Sequence, residues 1–200
     1  MSELYDLADQ IRKCALCPLS RSRTRAVPGE GPETAGVLFI GEAPGFHEDK
    51  SGRPFVGAAG RFLDELLASI DMQRKDVYIA NVIKCRPPGN RAPTPTEIEA
   101  CRPYLDRQIE LIQPRMVITL GRFSMARYFP GAKISVIHGQ PRKINGVLYY
   151  PMFHPAAALH QPSLRRTVEE DMKKIPLLLS EIDQIQDAQQ PQDVEQLNLF

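Results

Sequence analysis

Three short stretches of this chain carry residue types that do chemistry rather than packing. Gly41-Glu42-Ala43-Pro44-Gly45 follows the apolar run Val37-Leu38-Phe39-Ile40, so a carboxylate stands where a strand gives way to a loop. The two glycines let the chain turn sharply and bring backbone N–H groups close to a ligand, while Pro44 stiffens the loop. Gly52-Arg53-Pro54-Phe55-Val56-Gly57 is a second tight loop, and it presents one aromatic ring. Far downstream another apolar run ends in His154-Pro155-Ala156-Ala157-Ala158. A backbone pocket, a ring and an imidazole at strand ends are the parts of a small-ligand site.

The cysteines suggest a second chemistry. Cys14 and Cys17 form a Cys-x-x-Cys pair, Cys85 and Cys101 are separated by fifteen residues, and there are no others. A chain kept in a reducing compartment rarely relies on disulfides, so two pairs of thiols point to metal. Four thiolates suit a tetrahedral zinc ion or an iron–sulfur cube, and the spacing does not separate them. Four unrelated buried thiols are the plain alternative.

These residues must be positioned by regular elements, and the pattern is one of alternation. Leu4, Leu7, Ala8 and Ile11 mark a short amphipathic helix. Residues 37–41 read as a strand, and Phe62, Leu63, Leu66, Leu67 and Ile70 as a helix face. A second strand is expected from Val77 to Ile83. Thr96 with Glu99 makes a capping box for a helix running to Gln113, where Pro114 stops it. Met116 to Gly121 is a third strand, followed by a short helix from Arg122 to Phe129. Val147 to Phe153 is a fourth strand, and a last helix spans Arg165 to Ile185, disturbed by Pro176. Such alternation predicts a largely parallel sheet with helices on both faces. Ligands of these sheets bind beyond the carboxyl ends of the strands, where both the Glu42 loop and His154 fall.

Composition sets outer bounds. At 200 residues the chain suits one compact domain, and 42% hydrophobic residues is ordinary for a globular protein. No apolar stretch approaches the ~20 residues of a membrane helix, and no charged-then-apolar leader opens the chain, so a cytoplasmic protein is expected. Net charge is +1, but residues 169–200 hold eight acids against two lysines, which leaves +7 on the first 168. A basic body with an acidic tail is compatible with a polyanionic partner, and equally with a merely soluble surface.

Taken together, the Cys14/Cys17 pair, GEAPG at 41–45, GRPFVG at 52–57, NVIKCRPP at 81–88, Cys101 and HPAAAL at 154–159 closely resemble the family 4 uracil-DNA glycosylases, iron–sulfur base-excision repair enzymes of bacteria and archaea. The resemblance covers about residues 10–180. It implies a three-layer α/β/α sandwich with a four-stranded parallel sheet, and a [4Fe–4S] cluster held by Cys14, Cys17, Cys85 and Cys101, mainly structural in role. It further implies a monomer acting on uracil-containing DNA. The related family X enzymes carry Gln where Ala43 stands and a basic insertion that residues 87–95 lack, so a normal turnover enzyme is expected.

Cutting the N-glycosidic bond of deoxyuridine leaves a uracil anion and a positively charged sugar, so catalysis must hold negative charge on the base and tolerate an oxocarbenium. By the resemblance His154 hydrogen-bonds uracil O2. Backbone N–H groups of the Gly41-Glu42-Ala43 loop can assist. Glu42 is expected to orient or activate the attacking water, or to offset sugar charge; bracing the loop is its bland alternative. The base must leave the stack to be reached. Phe55 offers it a face, and the Asn81 amide can pair with uracil N3–H and O4 if neighbours fix its orientation. Glu48, by the resemblance, lies near C5 and excludes the thymine methyl.

Each of these residues has a plainer reading, with Phe55 a core ring, Asn81 a turn cap and His154 a satisfied strand-end histidine. Their joint order favours the site. Residues 156–164 resemble the family's minor-groove wedge, with Leu159 filling the vacated stack. Arg165 and Arg166 beside it are candidate phosphate contacts.

Residues 1–185 are expected to form the glycosylase domain and 186–200 a tail. Residues 186–195 are polar and aperiodic, as a flexible linker would be. The chain then ends Gln196-Leu197-Asn198-Leu199-Phe200, which looks like the peptide by which bacterial proteins bind the sliding clamp, with Gln196, Leu197, Leu199 and Phe200 as its anchors. No lysine nucleophile is evident, so hydrolysis without a lyase step is expected. The competing reading is a non-catalytic, cluster-bearing DNA-binding protein tethered to the clamp. A weaker one is a cluster-dependent redox protein.

Overall fold

The computed structural model describes residues 2–182, 184 and 185; the tail from 186, with its clamp-like peptide, lies outside the described residues. Helix α1 (Glu3–Lys13) starts at Ser2, whose hydroxyl accepts the Tyr5 N–H, and buries Leu4, Leu7 and Ile11. Strand β1 (Val37–Gly41) leads through the Glu42 loop into α2 (Phe46–Ser51) and α3 (Ala58–Ala68). Then come β2 (Tyr78–Asn81), α4 (Pro95–Ile112), β3 (Met116–Leu120), α5 (Arg122–Ala126) and α6 (Ile134–Ile137). The hairpin β4 (Arg142–Ile144) and β5 (Val147–Met152) is followed by α7 (Pro155–His160), α8 (Ser163–Lys173) and α9 (Ile175–Glu181).

The sheet order is β2-β1-β3-β5-β4. Four strands run parallel, and β4 pairs antiparallel with β5 at one edge. Alternate residues of each strand feed opposite layers. Leu38, Ile40 and Val117 pack with Ile11 of α1 and Leu105 of α4, whereas Val37, Phe39, Ile118 and Tyr150 pack with Leu63 of α3 and Met172 of α8. The result is the expected α/β/α sandwich. No helix among the described residues is long and apolar enough to cross a membrane.

The structure corrects several boundaries. The fifth strand was not expected, because Arg142–Ile144 is three residues long and only partly covered. Its signal is Asn145-Gly146, both with positive φ (50° and 81°), the two-residue turn that suits the twist of a hairpin. Helix α4 is capped by Thr94 rather than Thr96: Pro95 occupies the first helical position, Thr94 Oγ1 accepts from Glu97 N, and Glu97 returns the bond to Thr94 N. Regular pairing of β2 ends at Asn81, although Val82 and Ile83 still donate to the Gly41 and Glu42 carbonyls. The last helix is two helices, and Pro176 lies in the first turn of α9, where its missing N–H leaves no bond unmade.

Candidate active site

The site residues stand at the carboxyl ends of three parallel strands. In the β1–β2 register Gly41 lies opposite Asn81, one residue before Glu42. His154 follows β5 by two residues and caps α7. Gly121, just past β3, packs beneath it: a Cβ there would come within 3.2 Å of the His154 Cβ. The sheet therefore fixes how far apart the amide, the carboxylate and the imidazole lie.

Asn81 is 2% exposed, yet its side-chain Oδ1 has no hydrogen-bond partner. It lines a cavity of about 180 Å³ with Ala43, Gly45, Glu48, Phe55, Ala59, His154 and Ala156. That is below the roughly 300 Å³ at which drug-sized pockets begin, and it suits one ring. Leaving an acceptor buried and unpaired costs about 1–3 kcal/mol, which a donor in the cavity would return. Thr119 Oγ1 and Tyr128 O–H are also unpartnered, but neither lines this cavity.

The close approach that aims Asn81 depends on Gly41. A Cβ at that position would lie 2.4 Å from Asn81 Oδ1 and 2.7 Å from the Phe55 ring. Phe55 itself is held in the left-handed region (φ 52°). Arg74 secures this conformation by donating to the Pro54 and Phe55 carbonyls at 2.6 and 3.0 Å, and Gly60 leaves room for it, since a Cβ there would meet Phe55 O at 1.8 Å. The Phe55 and His154 rings are near-parallel (23°) with centroids 5.5 Å apart. Sandwiching a third ring between them would need about 7 Å, two contacts of about 3.5 Å. A planar ligand laid on the Phe55 face therefore meets the imidazole edge to edge.

His154 Nδ1 accepts the Ala156 N–H at 3.1 Å. Burial pulls its pKa down to about 4, with Glu48 opposing. The ring is thus neutral near pH 7 and carries its proton on Nε2, the nitrogen left to donate.

The two carboxylates of the site differ. Glu48 is consumed by the backbone: it accepts from Gly45 N at 3.1 Å, Val56 N at 2.8 Å and Gly57 N at 2.9 Å, tying the two glycine loops together. Glu42 has no hydrogen-bond partner among the described residues, so the bracing role falls to Glu48. Desolvation raises the Glu42 pKa above the ordinary carboxylate value, partly offset by Arg122. Glu42 opens onto an adjoining trough of about 350 Å³, with Pro87, Asn90, Arg91, His154 and His160 among its walls. A half-buried carboxylate with raised pKa beside a one-ring cavity has the character of a general base.

The sequence matches the family model described as the uracil DNA glycosylase superfamily over residues 28–179. The type-4 uracil-DNA glycosylase of Sulfurisphaera tokodaii is 46% identical over 185 residues, 88% of this chain and 84% of that protein. The type-4 enzyme of Archaeoglobus fulgidus is 46% identical over 184 residues, 88% of this chain and 92% of its own. A type-5 enzyme of Pyrobaculum aerophilum reaches 29% over 198 residues, 82% of this chain and 87% of its own. The chain belongs to the uracil-DNA glycosylase superfamily.

Other expected residues of this superfamily member fall variously. Leu159 is 43% exposed on α7, as a wedge must be. Arg165 is committed elsewhere: it donates to Glu65 and Glu169 at 2.9 Å each and lies over the Phe62 ring, while Arg166 pairs with Glu170 at 2.7 Å. As they stand, both are ion-paired rather than free cations. His138 is satisfied by Asp171 at 2.6 Å. His160 is exposed and borders the trough. Arg91 borders it too, tied to Glu97 by two bonds. His160 lies within the wedge-like 156–164 segment and Arg91 within 87–95, but neither is singled out there. A larger hollow of about 570 Å³ near α4 and α5 has its charges paired, Arg127 with Asp106 and Arg102 with Glu99.

All four cysteines are free thiols, Cys14 and Cys17 half-buried and Cys85 and Cys101 buried. They share one neighbourhood, since Cys14 and Cys17 act electrostatically on Cys85, and Cys85 and Cys17 on Cys101. Arg23 Nη1 reaches Cys85 Sγ at 3.0 Å, the Lys84 N–H reaches Cys101 Sγ at 3.3 Å, and the Leu16 N–H reaches Cys14 Sγ at 3.5 Å. Among the described residues no three Cys, His, Asp or Glu side chains converge as a single metal ion requires. Between thiols and site lies Lys84, 1% exposed, whose Nζ donates to the Asn81 carbonyl at 2.8 Å and to Gln108 Oε1 at 2.6 Å. Gln108 in turn donates to Pro28 O and Tyr78 O–H. Burial lowers the Lys84 pKa to about 8, which leaves it mostly charged at neutral pH.

The His154 ring is expected to keep the neutral, Nε2-protonated signature in imidazole NMR down to about pH 5. The unfolded chain takes up this proton near pH 6.5 and the folded one only near 4, so this residue's contribution to stability falls as pH drops through that window. A His154 titration midpoint above 6 would contradict the assignment.

Proposed function

We propose that the cavity receives a uracil extruded from DNA and that the protein hydrolyses its N-glycosidic bond, leaving an abasic site. The observation that carries this is the orphaned Asn81 Oδ1 in a one-ring cavity, beside an aromatic face and a neutral imidazole donor. Uracil offers N3–H to Asn81 Oδ1 and O4 to the amide N–H. Laid on Phe55, it presents O2 toward His154 Nε2–H. Cytosine, with an unprotonated N3, would leave Oδ1 unpaired. Thymine's methyl would press on Glu48, a wall that three N–H donors hold in place.

The chemistry follows from these contacts. As the bond from N1 to the sugar lengthens, negative charge spreads onto O2, where a neutral N–H donor strengthens its bond without giving up a proton. An imidazolium would instead tend to protonate the base. Glu42, unpaired and facing the trough, takes the proton of the attacking water and offsets the cationic sugar. The similarity to type-4 enzymes along most of the chain supports this reading over a non-catalytic DNA-binding protein.

The four thiols are assigned to a [4Fe–4S] cube on the strength of the resemblance to the iron–sulfur glycosylases. A single zinc ion draws every sulfur to about 2.3 Å from one point, whereas a cube takes one thiolate at each of four irons. N–H donors to three of the sulfurs are the hydrogen bonds that tune such clusters. Cys14, Cys17, Cys85 and Cys101 would hold the cluster, which would cross-link α1, α4 and the segment after β2. The C-terminal Gln196, Leu197, Leu199 and Phe200 would tether the enzyme to a sliding clamp.

Incubated with a strand holding one deoxyuridine, the protein is expected to leave an alkali-labile site there and none at thymine; an intact strand would end the reading. Glu42→Gln should lower kcat by about 10²–10⁴-fold. The acid limb of the native rate profile should lie above the ordinary carboxylate range and vanish in that variant, because the native base is lost as pH falls through its raised pKa. Purified protein should be brown and carry about four irons per chain; stoichiometric zinc in place of iron would refute the cluster. Deleting residues 196–200 should abolish clamp binding and leave turnover of short oligonucleotides unchanged, and undiminished clamp affinity would remove the tether.

A further inference from the structure

We propose that Phe46, flanked by Lys50 and Arg86, is a second nucleobase platform that holds the nucleotide next to the extruded uracil in an unpaired strand. This rests on the function proposed above and adds a second binding position to it. Phe46 opens α2 directly after Gly45, a wall of both the base cavity and the trough, yet its ring is 44% exposed. Lys50 Nζ lies over the ring, 4.4 Å from its centroid, and the Arg86 guanidinium lies over it at 5.2 Å, so a stacking base takes the place of one of these long side chains on the ring face. His47 meets the ring edge-on at 5.4 Å.

The cations over this ring are uncompensated: Lys50 and Arg86 have no carboxylate partner among the described residues, and Arg86 is steadied by the neutral Asn90 Oδ1 at 2.7 Å. By contrast Arg53, Arg91, Arg102, Arg107, Arg127, Arg165 and Arg166 are all ion-paired. Asn90 and the adjoining Pro87 also line the trough that leads away from Glu42, and Ala156, Ala157 and His160 of α7 contribute to it as well. An exposed ring between two uncompensated cations at the rim of a nucleobase cavity offers what a neighbouring nucleotide needs, a π-face for its base and positive charge for its phosphate. Stacking of this kind accepts any base, so the platform adds affinity without sequence preference. It needs the neighbouring base unstacked, which selects single-stranded or locally opened DNA.

The test uses single-stranded oligonucleotides with one deoxyuridine, in which one flanking nucleotide at a time is replaced by a base-less tetrahydrofuran unit. Phe46→Ala is expected to raise KM roughly tenfold on the fully based strand with kcat little changed; Phe46→Tyr, which keeps the ring, should restore KM. At one flanking position, loss of the base should cost the native protein the same factor, and Phe46→Ala should add nothing further there. Arg86→Gln should lower the slope of log affinity against log salt by about 0.7, one phosphate contact on a single strand. Native KM in Phe46→Ala, or losses that multiply at every position, would overturn the platform. Should the native protein release no uracil, the proposed activity fails, and the same cycle read by fluorescence anisotropy of strand binding still decides the platform.

Discussion

The contact on which the site depends is that of Gly41 with Asn81 across the carboxyl ends of β1 and β2. In a parallel pair the strands lie about 4.8 Å apart, and the register sets these two residues side by side. Because Gly41 has no side chain, the Asn81 amide and the Phe55 ring can both occupy the space beside it. Any larger residue would push the acceptor and the ring out of the cavity together. The loops are then built around that geometry: Glu48 ties Gly45 to Gly57, and Arg74 holds Phe55 in a conformation it would not adopt alone.

A rigid site of this kind gives up stability locally. An unpaired buried Oδ1, a phenylalanine with positive φ and a desolvated Glu42 are each unfavourable. The cost is borne by a sheet largely buried on both faces and by buried polar groups that bond to one another. Lys84 shows how far this goes, since a buried ammonium is tolerated only when it is well paired. Its bonds to Asn81 O and Gln108 Oε1 fix the peptide that carries the orphaned amide. Its own N–H meets Cys101, so the thiols and the site share one short segment.

The two acidic residues of the cavity illustrate how environment divides labour between identical groups. Glu48 accepts three backbone N–H bonds and becomes a wall, while Glu42, without such donors and partly desolvated, retains its basicity. Burial favours the neutral form of the imidazole too, so its pKa moves down where that of Glu42 moves up, and Nδ1 is used to cap α7.

Much of this was legible in the residues themselves. Apolar runs ending in Gly-Glu-Ala-Pro-Gly and in His-Pro mark strand ends, because a change from periodic hydrophobicity to glycine and proline stops a strand wherever it occurs. The four long strands and the helices on both faces follow from that local chemistry, whereas Asn81 and Glu48 are assigned to the site by the family resemblance. Three things required the tertiary structure. Which carboxylate is free depends on backbone donors that converge from two loops, so Glu48 and Glu42 look alike in sequence. Whether Arg165 and Arg166 stand free depends on Glu65, a hundred residues away from Arg165, and on the next turn of α8. The orphaned Asn81 oxygen is an absence of partners, and only packing can create it. Sequence determines what each segment can form and where it must end; the sheet's register decides which polar groups meet, and therefore which remain unpaired to act.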